Sequence, residues 1–111
     1  MRLVIVESPY AGDVKANIAY ARECVRDSLE RGEAPIASHL LYTQPGILRD
    51  EEPSERAWGI NAGLAWRKVA DASVFYTDRG WSQGMISAYQ VAQLAGATVE
   101  LRSLIGEVRQ P

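Results

Sequence analysis

The stretch Ser73–Gly96, SVFYTDRGWSQGMISAYQVAQLAG, constrains the fold more than any other. Ser73–Thr77 is short, β-branched and aromatic, which suits a strand. Asp78-Arg79-Gly80-Trp81 breaks that pattern. Ser82 then caps a helix on which Met85, Ala88, Tyr89, Ala92 and Ala95 recur at helical spacing. A strand that enters a helix through a Gly-containing turn leaves free amides at the positive end of a dipole. Such a helix start suits a phosphate or carboxylate.

The remaining segments repeat this alternation. Arg2–Glu7 is an apolar run that ends in an acid and reads as a buried strand. Ser8–Gly12 is turn chemistry, and Asp13 is placed to cap a helix. Val14, Ile18, Ala21, Val25 and Leu29 step by four, three, four and four, which predicts the inner stripe of that helix, with Gly32 as its stop. Pro35–Ser38 predicts a short second strand that Pro35 confines to a strand start or an edge. His39–Glu52 has no clear period and reads as a long binding loop or lid. A helix from Pro53 or Ser54 to about Ala70 follows, with Trp58, Ala62, Ala65 and Val69 as its inner stripe and Gly59 and Gly63 one turn apart. Ala97–Leu101 is the last strand, and Arg102–Pro111 reads as a polar tail or subunit contact.

The order β-α-β-loop-α-β-α-β predicts a parallel sheet with helices on both faces and right-handed crossovers. We expect a Rossmann-like or flavodoxin-like three-layer sandwich with strand order 2-1-3-4. Ligands of such sheets sit at the carboxyl ends of the strands where the order reverses. Here those ends are Glu7–Tyr10 and Thr77–Arg79.

Composition narrows the function classes. The 111 residues predict one domain spanning the whole chain. A net charge of −2 with scattered basic residues speaks against nucleic acid and polybasic membrane binding. No apolar run is long enough to cross a bilayer, and Met1–Glu7 does not read as a signal peptide. One Cys and one His cannot build a zinc site, so no metal or cofactor is expected, and a reducing, cytoplasmic setting is.

Three motifs close the three strand ends: Ser8-Pro9-Tyr10-x-Gly12-Asp13, Ala37-Ser38-His39-Leu40 and Ser82-x-Gly84-Met85. As an ordered set from Leu3 to about Leu101, they resemble a family of small phage and bacterial proteins of unassigned function. That family is related to the nucleoside 2-deoxyribosyltransferases and deoxynucleoside 5′-monophosphate N-glycosidases. The resemblance implies a nucleoside or nucleotide ligand and a homo-oligomer with sites near subunit contacts. It also implies a Glu nucleophile six residues beyond Ser82, but this chain has Ala88 there. The acid that supports the nucleophile is missing as well, around Asn61–Gly63.

The ligand-binding candidates are therefore Ser8, Tyr10, Gly12, His39, Asp78, Arg79, Trp81, Ser82, Gly84 and Met85. Tyr10 stacks on a base or sugar, or simply packs over its turn. His39 protonates a leaving base, or is structural. Ser82 and Gly84 open the anion seat, which Arg79 would neutralise. Trp81 and Met85 bracket a base, or fill the core. Glu7 and Asp78 are the candidate catalytic carboxylates. Three functions stay open: nucleoside binding without the usual chemistry, an active N-glycosidase or deoxyribosyltransferase using another carboxylate, and a phage or host-factor interaction module.

Overall fold

The computed structural model describes all 111 residues. Eight elements alternate along the chain: β1 (Leu3–Glu7), α1 (Val14–Glu30), β2 (Ala34–Ile36), α2 (Ser38–Leu41), α3 (Pro53–Trp66), β3 (Ala72–Tyr76), α4 (Gln83–Leu94) and β4 (Val99–Arg102). The four strands form one parallel sheet in the order β2-β1-β3-β4. β1 and β3 are central, with Val6 opposite Val74 and Glu7 opposite Phe75. β2 is an edge strand, and its middle residue is Pro35, which has no N–H to donate to a second neighbour.

Side chains alternate across the sheet, and each face carries its own core. Val4, Val6, Val74 and Tyr76 pack with Tyr20 and Cys24 of α1. The opposite face carries Phe75, which stacks on Trp81 at 5.4 Å between centroids and meets the edge of Tyr89 from α4 at 5.5 Å. Cys24 is fully buried, as a small apolar residue would be.

Both expected caps are present. The Asp13 carboxylate accepts from the Ala16 amide, and Ser82 Oγ accepts from the Met85 amide. No helix is long and apolar enough to cross a membrane.

Several expected details differ. The inner stripe of α1 is Asn17, Tyr20, Ala21, Cys24 and Ser28, while Val14 and Leu29 are exposed. Polar residues take the inward positions because the loops at the two ends of α1 supply polar partners. Ser28 donates to Glu33, and Asn17 donates to the Tyr10 and Ala11 carbonyls.

Ala37 and Ser38 do not extend β2. Ser38 opens α2, so the expected loop begins with a helical turn that contains His39. α3 ends at Trp66, and the turn after it reaches Ala70. Of its expected apolar stripe only Ala62 turns partly inward; Ala65 is exposed, Trp58 is 67% exposed and Val69 59%. The partly buried positions are Glu55, Gly59, Ala62, Gly63 and Arg67. A Cβ added at Gly63 would lie 2.6 Å from Ser38 Oγ, so glycine is what lets α3 approach α2 this closely.

The C-terminal segment is no free tail. The Arg109 amide donates to Thr77 Oγ1, Trp81 Nε1 donates to the Arg109 carbonyl, and Ser103 donates to Asp78.

Candidate functional site

A pocket of about 230 Å³ opens at the carboxyl ends of β1 and β3, where the strand order reverses. β1 and its loop contribute Glu7, Ser8 and Tyr10, and α2 contributes Ser38 and His39. α3 contributes Arg56, Gly63 and Arg67, and the start of α4 contributes Ser82, Gln83, Gly84, Met85 and Ala88. Asp50, from the loop before α3, lies on the rim shared with a smaller hollow of about 80 Å³.

Seven residues expected at the site thus meet in one pocket: Glu7, Ser8, Tyr10, His39, Ser82, Gly84 and Met85. Four do not line it. Gly12 sits in the turn before α1 with φ +98°, where its carbonyl accepts from the Val14 amide. Arg79 donates through Nε to Asn17 Oδ1 at 2.9 Å. Trp81 fills the aromatic cluster with Phe75 and Tyr89. Asp78 accepts from Tyr20 Oη at 2.6 Å, from Ser103 Oγ and from the Leu104 amide. Burial alone would raise the Asp78 pKa, but the donors Ser103, Tyr20 and Leu104 outweigh it and hold the carboxyl below its ordinary value. Asp78 is engaged by α1 on one side of the sheet, whereas Glu7 lines the pocket with α3 and α4 on the other. The expected carboxylate pair does not form.

Glu7 differs from the other enclosed acids. It ends β1 on the same alternate side as Ile5. Burial pushes its carboxyl up to about 7, and only the charge of Arg67 opposes that rise. No hydrogen bond stabilises its ionised form. Ser8, itself buried, pairs with His39 Nε2 at 2.7 Å. His39 Nδ1 is buried without a partner, and burial lowers the imidazole pKa to about 4, so the ring is neutral at pH 7. Arg67 donates weakly to the Ala88 carbonyl at 3.5 Å, and its Nε is buried without a partner.

The start of α4 is open. Ser82 Oγ satisfies the Met85 amide, and the first-turn amides of Gln83 and Gly84 have no intrahelical acceptor. Gly84 is exposed, and an added Cβ would meet only Ser82 Oγ, at 3.9 Å, so a ligand can approach this backbone. The pocket therefore combines a cationic wall, a neutral imidazole, a helix N-terminus and the carboxyls of Glu7 and Asp50, neither of which accepts a hydrogen bond. Ser38, Asp50, Arg56, Arg67 and Gln83 were not expected at the site. One signal was available: Arg56 and Arg67 are eleven residues apart, about three helical turns, and share a face with Gly59 and Gly63.

Fold and pocket define the class: a small doubly wound α/β domain with a ligand-sized site at its topological switch point. The chain belongs to the family described as Domain of unknown function (DUF7768), whose model matches residues 2–102. Among solved structures it is similar to the 2-deoxyribosyltransferase from the psychrotolerant bacterium Bacillus psychrosaccharolyticus. The TM-score is 0.66 at 18% identity, over 97% of this chain and 77% of that one. At that identity the likeness establishes the shared fold. No curated protein matches the sequence.

Proposed function

We propose that this domain binds a nucleoside or nucleoside monophosphate in the switch-point pocket. The observation that carries the reading is the convergence of Tyr10, His39 and the Ser82–Met85 helix start on one cavity, with Ala88 in its wall. Tyr10 offers an aromatic face to a base or sugar. The free amides of α4, with Arg56 and Arg67 across the pocket, suit an anionic group. The structural neighbour's name, a 2-deoxyribosyltransferase, supports a nucleoside as the ligand class. Ala88 has no nucleophilic atom, so a glycosyl–enzyme bond at that position is chemically impossible.

In the same proposal, residues 1–111 act as one unit, and a second copy docks beside the pocket on the outer face of α3, where Trp58 and Ile60 are exposed. Titration calorimetry against 2′-deoxynucleosides, ribonucleosides and their 5′-monophosphates tests the ligand assignment. The expected result is saturable binding of at least one member, weakened about tenfold or more by Tyr10→Ala. Absence of heat with every member at millimolar concentration overturns it.

A further inference from the structure

Glu7 is the acid whose burial no donor offsets. Glu33, Asp27 and Asp78 each accept from at least two donors, and all three are held below their ordinary pKa. Glu7 accepts from none, lines the cavity, and its carboxyl is pushed up to about 7. A carboxyl that titrates near neutrality and faces a ligand is suited to move a proton in either direction.

We propose that Glu7 is an acid–base catalyst for hydrolysis of the bond between sugar and base in the bound nucleoside, by direct attack of water. This rests on the ligand class proposed above. The Glu7 carboxylic acid gives its proton to a ring nitrogen of the leaving base. The C1′–N bond breaks, and its electron pair stays on the base. A water oxygen then bonds to C1′ of the oxocarbenium-like sugar, and that water loses a proton to the Glu7 carboxylate. One water is consumed, free base and free pentose leave, and Glu7 regains its starting form. No covalent sugar–protein bond is needed, which fits Ala88 in the pocket wall. Arg67 is a positioning residue: its charge keeps the carboxyl from rising further and steadies the carboxylate formed in the first step.

The charged and titratable groups around the pocket are Arg56 and Arg67 from α3, His39 from α2, Asp50 from the rim loop and Tyr10 from the β1 loop. α4 contributes none. His39 titrates near 4, so between pH 5.5 and 8.5 the activity follows Glu7.

The experiment is base release from neutral 2′-deoxynucleosides, followed by chromatography, with binding measured separately by calorimetry. Neutral substrates keep the ionisation of a phosphate out of the pH profile. The wild-type kcat should fall about tenfold per pH unit above ~7, because the acid must begin protonated. Glu7→Gln should bind within about threefold of wild type and lose about 100-fold or more in kcat. Arg67→Gln should move the descending limb to higher pH, an effect that lost packing alone would not produce. Adding a second free base should yield no new nucleoside.

Binding without base release at any pH overturns the role of Glu7 and leaves the binding reading standing. Base release that survives Glu7→Gln within threefold, or transfer of the sugar to the added base, also overturns it. If Glu7→Gln does not fold, the wild-type pH limb and the transfer assay still decide. If no nucleoside binds, the ligand assignment itself falls.

Discussion

The two faces of the sheet treat their acids in opposite ways. On the α1 side, Glu33 is 6% exposed, and Arg102 grips both its oxygens at 2.7 Å while Ser28 donates at 2.8 Å. The Arg102 hydrogen bonds, more than any other influence, hold Glu33 down at about 2. On the α3–α4 side, Glu7 has no hydrogen-bonding partner, and burial pushes it up to about 7. Burial penalises the ionised form of both groups. Donors make the difference, because a buried charge is tolerated when it is paired and costly when it is not. The α1 face spends its polar groups on the fold. The pocket face keeps several free: the Glu7 carboxyl, His39 Nδ1, Arg67 Nε and the amides opening α4. The closed face has a single orphan, Arg102 Nε.

The comparison breaks most sharply at Arg102. Arg102→Met leaves the Glu33 charge buried with its main partner gone, and should cost about 3–5 kcal/mol at pH 7, read by urea denaturation. A loss below ~1 kcal/mol would mean that the network contributes little. The cost should shrink toward pH 2. Glu33 has a depressed folded pKa, so its stabilisation is present above the unfolded value and is lost as pH falls from about 4.5 through about 2.

Glu7 should respond with the opposite sign. Its folded pKa is raised, so the two states differ little below pH 4.5. As pH rises toward about 7 the unfolded state ionises first and the fold loses stability. Glu7→Gln should therefore stabilise the protein at pH 8, by an amount on the order of 1–3 kcal/mol, and change little at pH 4. Thermal melts at the two pH values check this. Equal effects at both would show that Glu7 is no stored cost. The combination of a stabilised fold with lost base release would mark a group kept for function.

The smallest effect belongs to Ser82. Ser82→Ala removes the cap on the Met85 amide and should cost about 1 kcal/mol in denaturant unfolding. The variant also frees a third amide beside the pocket, so any change in nucleotide affinity should be modest compared with that of Tyr10→Ala. A loss of binding as large as the tyrosine's would mean that the hydroxyl itself contacts the ligand.

Much of this architecture was legible in the chain. The alternation of β-branched runs with helical periods specified the elements and, through connection rules, the order 2-1-3-4. The caps Asp13 and Ser82 were readable because a cap is satisfied within three residues of itself. That Glu7, Tyr10, His39 and Ser82 lie close together was readable because all four follow from strand ends or helix starts on one edge of the sheet, and they line one pocket. The inward stripes of α1 and α3 were not readable. Hydrophobic periodicity finds apolar faces, and these two helices turn Asn17, Ser28, Gly63 and Arg67 inward. Asp78 and Trp81 looked like site residues from their turn, but their partners Tyr20, Ser103 and Arg109 lie more than twenty residues away.

Local chemistry thus determined where strands, turns and helix starts fall, because propensities and caps act over a few neighbouring residues. Only the tertiary structure decided which of two similar acids keeps its charge. Glu33 and Glu7 differ in what the packed chain brings to them: Arg102 from the far end of the sequence for one, and an open cavity for the other.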